Sequence, residues 1–67
     1  MTTLEAIKAI IEEKNARNIR PLNTHLLEVC ERSGRSEKEV RQDLNQLFVD
    51  RKIAISNGIN HILIELI

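Results

Sequence analysis

The chain has 67 residues, which suffices for one domain that buries only about 60% of the surface of its unfolded form. Ten basic and ten acidic side chains give zero net charge, which excludes a polybasic tail and a strongly cationic nucleic-acid-binding surface. One cysteine and two histidines make neither a disulfide nor a zinc site, and no apolar run reaches the roughly 18 residues of a membrane span. We therefore expect one cytoplasmic domain over residues 1–67, with no metal, cofactor or membrane segment.

The first predicted element is a helix from Thr2 to about Asn15. Thr2 and Glu5 have the spacing of a capping box, in which each side chain accepts a hydrogen bond from the other's backbone N–H. Apolar residues then recur every three or four positions, at Leu4, Ile7, Ile10 and Ile11. Pro21 disfavours helical backbone just before it, so we expect a loop with a short strand around residues 19–20.

A second, shorter helix is predicted to begin near Asn23 or Thr24, because either side chain can cap it. Its apolar residues are Leu26, Leu27, Val29 and Cys30. The pair Ser33-Gly34 is predicted to end the helix, because glycine readily adopts the left-handed conformation that follows many helix C-termini.

The third helix is predicted to run from Ser36 to about Lys52. Ser36 and Glu39 repeat the capping-box spacing at its start. The stripe expected to face the core consists of Val40, Leu44, Leu47, Phe48 and the aliphatic part of Arg51. The opposite face is polar and carries Lys38, Gln42 and Asn45, with Arg41 and Gln46 at its edges. The pattern predicts a helix held by one side and exposed on the other.

After the third helix the apolar period changes from 3.6 to 2, first at Ile53 and Ile55 and then at Ile62, Ile64 and Leu66. Asn57-Gly58 between these runs is a strong hairpin signal. A two-residue turn there would place Ile55 opposite Asn60. A four-residue loop would instead place Ile55 opposite Ile62, and we favour this register because it pairs apolar side chains.

The stretch SGRSEKEVRQDLNQLFVDRKIAI and the Asn57-Gly58 hairpin after it resemble a winged helix-turn-helix domain. In that superfamily the order is helix, short strand, helix, tight turn, helix and hairpin. The resemblance implies a mostly α fold with a C-terminal β-hairpin, which is the α+β class. It also implies that the helix of residues 36–52 reads the major groove of duplex DNA and that the hairpin tip, Ser56–His61, forms the wing.

The resemblance implies a set of DNA-binding residues, and their chemistry is suitable. Lys38 and Arg41 can donate hydrogen bonds to guanine or to phosphate. Gln42 and Asn45 carry the paired donor and acceptor that match adenine. Ser36 and the backbone N–H groups of the first helical turn can hold a phosphate. The function expected is that of a small transcriptional regulator which binds duplex DNA.

The charge pattern partly supports this expectation. Residues 14–35 carry five basic and two acidic side chains, so the positive excess lies in and before the helix-turn-helix. We therefore expect Arg17, Arg20 and Arg35 to flank the DNA-binding surface. Two acids in the first turn of the third helix would repel phosphate, and the wing tip has no Lys or Arg. A monomer should consequently bind DNA with modest affinity, and a dimer is expected.

The last six residues are apolar on both sides of the predicted strand, so one core cannot bury them all. Leu63 and Ile67 would be exposed unless the first helix covers them, and Val49 is a further apolar residue on the polar side of its helix. This pattern favours a homodimer through the C-terminal strand, by strand addition or by packing of that face. The alternative is a winged-helix protein–protein interaction module without nucleic-acid contact. No arrangement of Ser, His, Cys or Gly indicates an enzyme.

Overall fold

The computed structural model describes residues 2–58 and 62–67. Over these residues the chain forms three helices and one three-stranded antiparallel sheet, which confirms the α+β class. In chain order the elements are α1 (Thr3–Ala16), β1 (Thr24–His25), α2 (Leu26–Ser33), α3 (Glu37–Val49), β2 (Ile53–Asn57) and β3 (Ile62–Leu66).

The start of α1 follows the sequence closely. The Glu5 N–H donates to Thr2 Oγ1 (3.1 Å) and the Thr2 N–H donates to Glu5 Oε1 (2.9 Å), which confirms the predicted capping box. The hydrogen bond from the Thr2 backbone to the carboxylate lowers the pKa of Glu5. The buried apolar residues of α1 are Ala6, Ile7, Ile10 and Ile11.

The short strand lies at Thr24–His25, and the prediction of a strand around residues 19–20 is wrong. β1 exists because it pairs with β3, where Thr24 lies opposite Ile64 and His25 lies opposite Leu63. These partners are about forty residues further along the chain. The local pattern around Pro21 therefore contained no signal for the position of β1.

The cap of α2 also differs from the prediction, because neither Asn23 nor Thr24 provides it. The helix begins at Leu26, and His25 Nδ1 accepts a hydrogen bond from the Glu28 N–H (3.4 Å). Thr24 is instead buried in the sheet, where its hydroxyl donates to the Glu28 carboxylate (2.6 Å). Participation of Thr24 in β1 thus moves the helix cap to His25, one or two residues after the predicted positions.

Helix α3 ends at Val49, three residues before the predicted end at Lys52. Arg51 adopts a left-handed φ of 58°, and the Lys52 N–H donates to the Leu47 carbonyl (2.9 Å), which closes the last turn and leads into β2. The predicted core position of Phe48 is wrong, since 52% of this residue is exposed. Phe48 lies at the edge of the apolar stripe in the last turn of the helix.

The hairpin register differs from both predicted alternatives. Ile55 lies opposite Ile64 and Asn57 lies opposite Ile62, a shift of two residues from the favoured register. A shift of two keeps every side chain on its predicted face, so the alternation could not distinguish these registers. Of the four residues between β2 and β3, only Gly58 is described. Asn60 and most of the predicted wing tip beyond Asn57 therefore lie outside the described residues.

The sheet order is β1-β3-β2, so the C-terminal strand lies in the middle. The core is formed almost wholly by aliphatic side chains of the helices and of the inner sheet face: Ala6, Ile7, Ile10, Ile11, Val29, Val40, Leu44, Ile53 and Ile64. In this core α3 contributes two fully or nearly buried residues, Val40 and Leu44. The rest of the α3 surface is left to other contacts or to solvent.

Candidate nucleic-acid interface

A three-residue turn, Gly34 to Ser36, joins α2 to α3. Gly34 has a φ of 73°, as predicted for a helix C-terminus, and its N–H donates to the Cys30 carbonyl (3.0 Å). Ser36 then caps α3, because its Oγ accepts a hydrogen bond from the Glu39 N–H (3.3 Å). Residues of the turn therefore make the capping hydrogen bonds of both helices. These hydrogen bonds help to set the direction of α3 relative to α2.

The outward side of α3 is a continuous polar surface. The residues that line one shallow depression on it are Glu37, Lys38, Arg41, Gln42 and Asn45, and we call this set the α3 polar face. All five are exposed. Their exposure follows from the helical period, because Val40 and Leu44 attach α3 to the core from the opposite side. The predicted exposure of Lys38, Arg41, Gln42 and Asn45 on one surface is thus observed.

Within the α3 polar face, Arg41 is held by Glu37. Arg41 Nη2 and Nε both donate to Glu37 Oε1, at 2.7 and 3.0 Å. The side chains of both residues are 63% exposed, so water screens the attraction between them. Lys38 makes no ion pair with any described residue. The net charge of the α3 polar face is consequently close to that of a single cation.

Ser36 is exposed beside this face, but its hydroxyl is already occupied. Its Oγ lies 3.3 Å from Glu39 Oε1 as well as accepting from the Glu39 N–H. A phosphate at this helix N-terminus would therefore compete with the Glu39 carboxylate. The phosphate contact of Ser36 stays a prediction, and the Glu39 carboxylate beside the hydroxyl disfavours it.

Arg35 faces a different side of α3 from Arg41. Its guanidinium lies 3.4 Å from Asp43 Oδ2 and 3.7 Å from Glu39 Oε2. The same Asp43 oxygen accepts a hydrogen bond from the hydroxyl of Thr3 (2.5 Å), a residue that is almost fully buried at the start of α1. Arg35 therefore helps to fasten the turn and α3 to α1, and the structure does not place it on the α3 polar face.

Arg17 and Arg20 are exposed near the end of α1. Arg20 donates to the Asn15 side chain (3.1 Å) and to the Ile19 carbonyl (3.2 Å). Arg17 lines a depression between α1 and α2 whose other charged residues are Glu13, Lys14, Glu28, Glu31 and Arg32. Neither arginine lines the depression of the α3 polar face, so the structure does not bring them together with Lys38 and Arg41.

A mostly apolar depression adjoins the α3 polar face at Glu37. Its other lining residues, from β1 and α2, are His25, Leu26, Leu27 and Cys30. Burial raises the pKa of the Cys30 thiol, which is therefore protonated and weakly nucleophilic at neutral pH. The sequence placed Leu26, Leu27 and Cys30 on the buried side of the helix, but Leu27 is 64% exposed.

The pairing of Glu37 with Arg41 was missed by sequence reasoning, which treated Glu37 only as an acid suited to the helix N-terminus. Its signal was nevertheless present, because Glu37 and Arg41 are four residues apart on one helix, a spacing that brings opposite charges together. The α3 polar face therefore contains a pre-formed acid–base pair in addition to the predicted donors.

No protein-family model, no curated protein sequence and no solved structure matches this chain. None of the helices in residues 2–58 has the length and apolarity to cross a membrane. Among the described side chains, no three His, Cys, Asp or Glu residues are grouped so that they could hold a metal ion.

Proposed function

We propose that this chain is a winged helix-turn-helix domain that binds duplex DNA through α3. The observation that carries the proposal is the α3 polar face: the N-terminal half of a helix, entered by a tight turn from the preceding helix, exposes Lys38, Arg41, Gln42 and Asn45 together. A helix presented in this way fits the major groove, and its N-terminal residues reach the base edges. The antiparallel hairpin that follows α3 supports the same proposal.

The polar face offers two kinds of contact. Lys38 is a flexible cation suited to a phosphate or to guanine, whereas Gln42 and Asn45 can each donate to and accept from adenine. The ion pair between Glu37 and Arg41 reduces the long-range attraction to DNA. Affinity of a single domain should accordingly lie near the weak end of non-specific binding, a Kd of about 100 µM at physiological salt.

The proposal is tested by fluorescence anisotropy of a labelled random-sequence duplex at low salt. The matched variants are Lys38→Gln, on the polar face, and Lys8→Gln, at an exposed position of α1. Each removes one positive charge, so a difference between them reports position and not net charge. We expect K38Q to weaken binding several-fold and K8Q to bind like the wild type.

Two outcomes would contradict the proposal. The first is that the wild-type protein shows no binding at about 100 µM under low-salt conditions, where non-specific affinity is highest. The second is that K38Q and K8Q weaken binding equally, which would indicate a diffuse attraction without a role for α3. Circular dichroism of each variant establishes that the helices are intact.

The proposal includes a homodimer, because one weakly charged helix gives limited affinity. Strand addition to the middle of β3 is blocked, since Leu63 and Ile64 already pair with β1 on one side and with β2 on the other. Packing of exposed apolar residues is the route that we propose. The residues available for it include Val49 (72% exposed) and Ile67 (77% exposed).

A second candidate function is protein docking without nucleic-acid contact, and one observation favours it. Phe48 and Val49 expose apolar surface at the end of the same helix, and Leu27 does so on α2. Exposed aromatic and aliphatic side chains are common at interaction sites. Absence of DNA binding in the anisotropy experiment would favour this second function.

A further inference from the structure

The geometry of Arg41 carries an inference beyond general DNA binding, and it rests on the proposed function. A guanidinium has five N–H donors in one plane. The Nε–H and one Nη2–H form one edge, and both point at Glu37 Oε1. The second edge consists of the other Nη2–H and an Nη1–H, which point away from Glu37. Nη1 makes no hydrogen bond with the described residues, so this second edge is available to a ligand.

A free guanidinium edge has a specific chemical complement in the major groove. Guanine presents two acceptors side by side, O6 and N7, which match two parallel N–H donors. Adenine presents one acceptor, N7, and one donor, the N6 amino group, at the corresponding positions. The adenine amino group would therefore face an N–H donor of the guanidinium. A lysine has no such fork and binds either acceptor as a point charge.

We propose that Arg41 reads a guanine base and that Glu37 is the positioning residue that orients its guanidinium. Two hydrogen bonds from one edge of the guanidinium to one carboxylate oxygen restrict its plane and keep its free edge turned away from Glu37. Both residues lie in the first five positions of α3, the part of a recognition helix that reaches base edges. Glu37 therefore has two opposing effects: it weakens the attraction to phosphate and strengthens the choice of base.

Positioning of Arg41 by Glu37 and simple repulsion of DNA by Glu37 have different effects on sequence preference. If Glu37 only repels DNA, its neutralisation raises affinity for all sequences equally. If it also positions Arg41, neutralisation raises affinity for random DNA and at the same time reduces discrimination at one base pair. Affinity alone cannot separate these cases, whereas the ratio of affinities for two sequences can.

The experiment begins with selection of binding sites from a random duplex library by the wild-type protein. Affinities of the wild type, E37Q, R41K and E12Q are then compared on the selected site and on the same site with each guanine replaced in turn. Glu12 is exposed on α1, so E12Q has the same net charge as E37Q without altering the α3 polar face. All four proteins are checked for helical content.

We expect one G·C pair that the wild type and E12Q prefer over A·T by about tenfold or more. R41K should bind random duplex about as well as the wild type and lose most of this preference, because it retains the charge but not the fork. E37Q should bind random duplex more tightly and have a preference reduced by several-fold.

The outcomes separate this inference from the proposed function. Absence of DNA binding by the wild type overturns both. Binding without any preferred guanine, or a guanine preference that R41K retains, overturns the reading role of Arg41 while DNA binding stands. A guanine preference that R41K loses and E37Q keeps at its wild-type value overturns the positioning role of Glu37.

Discussion

Lys14 at the end of α1 contacts two other parts of this small domain. Its ammonium group donates to the Asn23 carbonyl (2.7 Å) and lies 3.1 Å from Glu28 Oε1, which also accepts the hydroxyl of Thr24 at 2.6 Å. The cluster thereby connects α1, the segment before β1, and α2. Because α2 leads directly into the turn before α3, these contacts help to set the direction of the proposed DNA-binding helix.

The pKa of the Glu28 carboxylate in this cluster is lowered, which makes the stability of the protein depend on pH. Partial burial would raise the pKa of Glu28, but the hydrogen bond from Thr24 and the hydrogen-bonded ion pair with Lys14 together lower it below the ordinary value of 4.5. Since the folded pKa is lower than the unfolded one, the resulting stabilisation is present above the unfolded value. It is lost as the pH falls through the folded value.

We expect Glu28→Gln to lower the free energy of unfolding at pH 7 by about 1 kcal/mol, a modest value because the group is partly exposed. The difference from the wild type should shrink as the pH falls below the ordinary value of 4.5. The measurement is urea denaturation at several pH values. Glu31→Gln, on the exposed side of α2, is the control, because it removes the same charge without breaking any of the described hydrogen bonds or ion pairs. Equal behaviour of the two variants would show that the cluster contributes no linked stability.

At the scale of elements, the turn between α2 and α3 depends on one backbone conformation. Gly34 is left-handed, and a Cβ atom added to it meets no other atom within 4 Å. Any effect of substitution there must arise from the backbone itself. This makes Gly34 a suitable position for testing the turn without disturbing the core.

We expect Gly34→Ala to lower the free energy of unfolding by about 1 kcal/mol, because an L residue other than glycine is strained at this φ. Gly34→Asn should be less destabilising, since asparagine tolerates the left-handed region better. Chemical denaturation of the three proteins checks the order. If alanine were as stable as glycine, the turn would have to adopt a different conformation in solution.

The elements also show what the sequence could predict. Capping and helical periodicity depend on residues within one turn of each other, so the start of α1, the end of α2 at Gly34 and the exposed side of α3 were predicted correctly. The position of β1 and the hairpin register depend on pairing between distant segments, and both predictions failed.

The candidate site followed the same division. Exposure of Lys38 and Asn45 follows from the helical period and was foreseen. The direction of Arg35 depends on Asp43, whose carboxylate is held by Thr3 at the other end of the chain. Because that contact is tertiary, Arg35 could not be excluded from the α3 polar face by local sequence pattern.

For the whole molecule, charge balance limits the strength of the proposed DNA binding. Ion pairs with described acids involve four of the ten cations: Lys14, Arg32, Arg35 and Arg41. Of the cations without such a pair, only Lys38 lies on the α3 polar face. Few phosphates can therefore be neutralised through the α3 polar face, and little counterion release is available there.

We expect the logarithm of the DNA association constant to fall only gradually with the logarithm of salt concentration, with a slope shallower than about −4. Lys38→Gln should reduce the magnitude of this slope by about 0.9, the effect of one phosphate contact, whereas Lys8→Gln should leave it unchanged. Anisotropy titrations across a range of salt concentrations provide the slopes. A slope steeper than −4 would indicate that cations outside α3 make most of the contacts.

Two copies of the molecule are expected to associate at the end where Val49 and Ile67 are exposed. The Ile67 N–H donates to the Lys52 carbonyl (3.4 Å), which places the end of β3 beside the connection that follows Val49. The exposed side chains of Val49 and Ile67 thus belong to the same end of the molecule, where burial against a second copy would remove apolar surface from water.

We expect sedimentation equilibrium to show a monomer–dimer equilibrium that shifts to monomer in the V49E/I67E double variant. L27E, which places a similar charge on an exposed apolar residue of α2, should dimerise like the wild type. If the wild-type protein remains monomeric at high concentration, the two residues have another role, and docking to a different protein becomes the better explanation of their exposure.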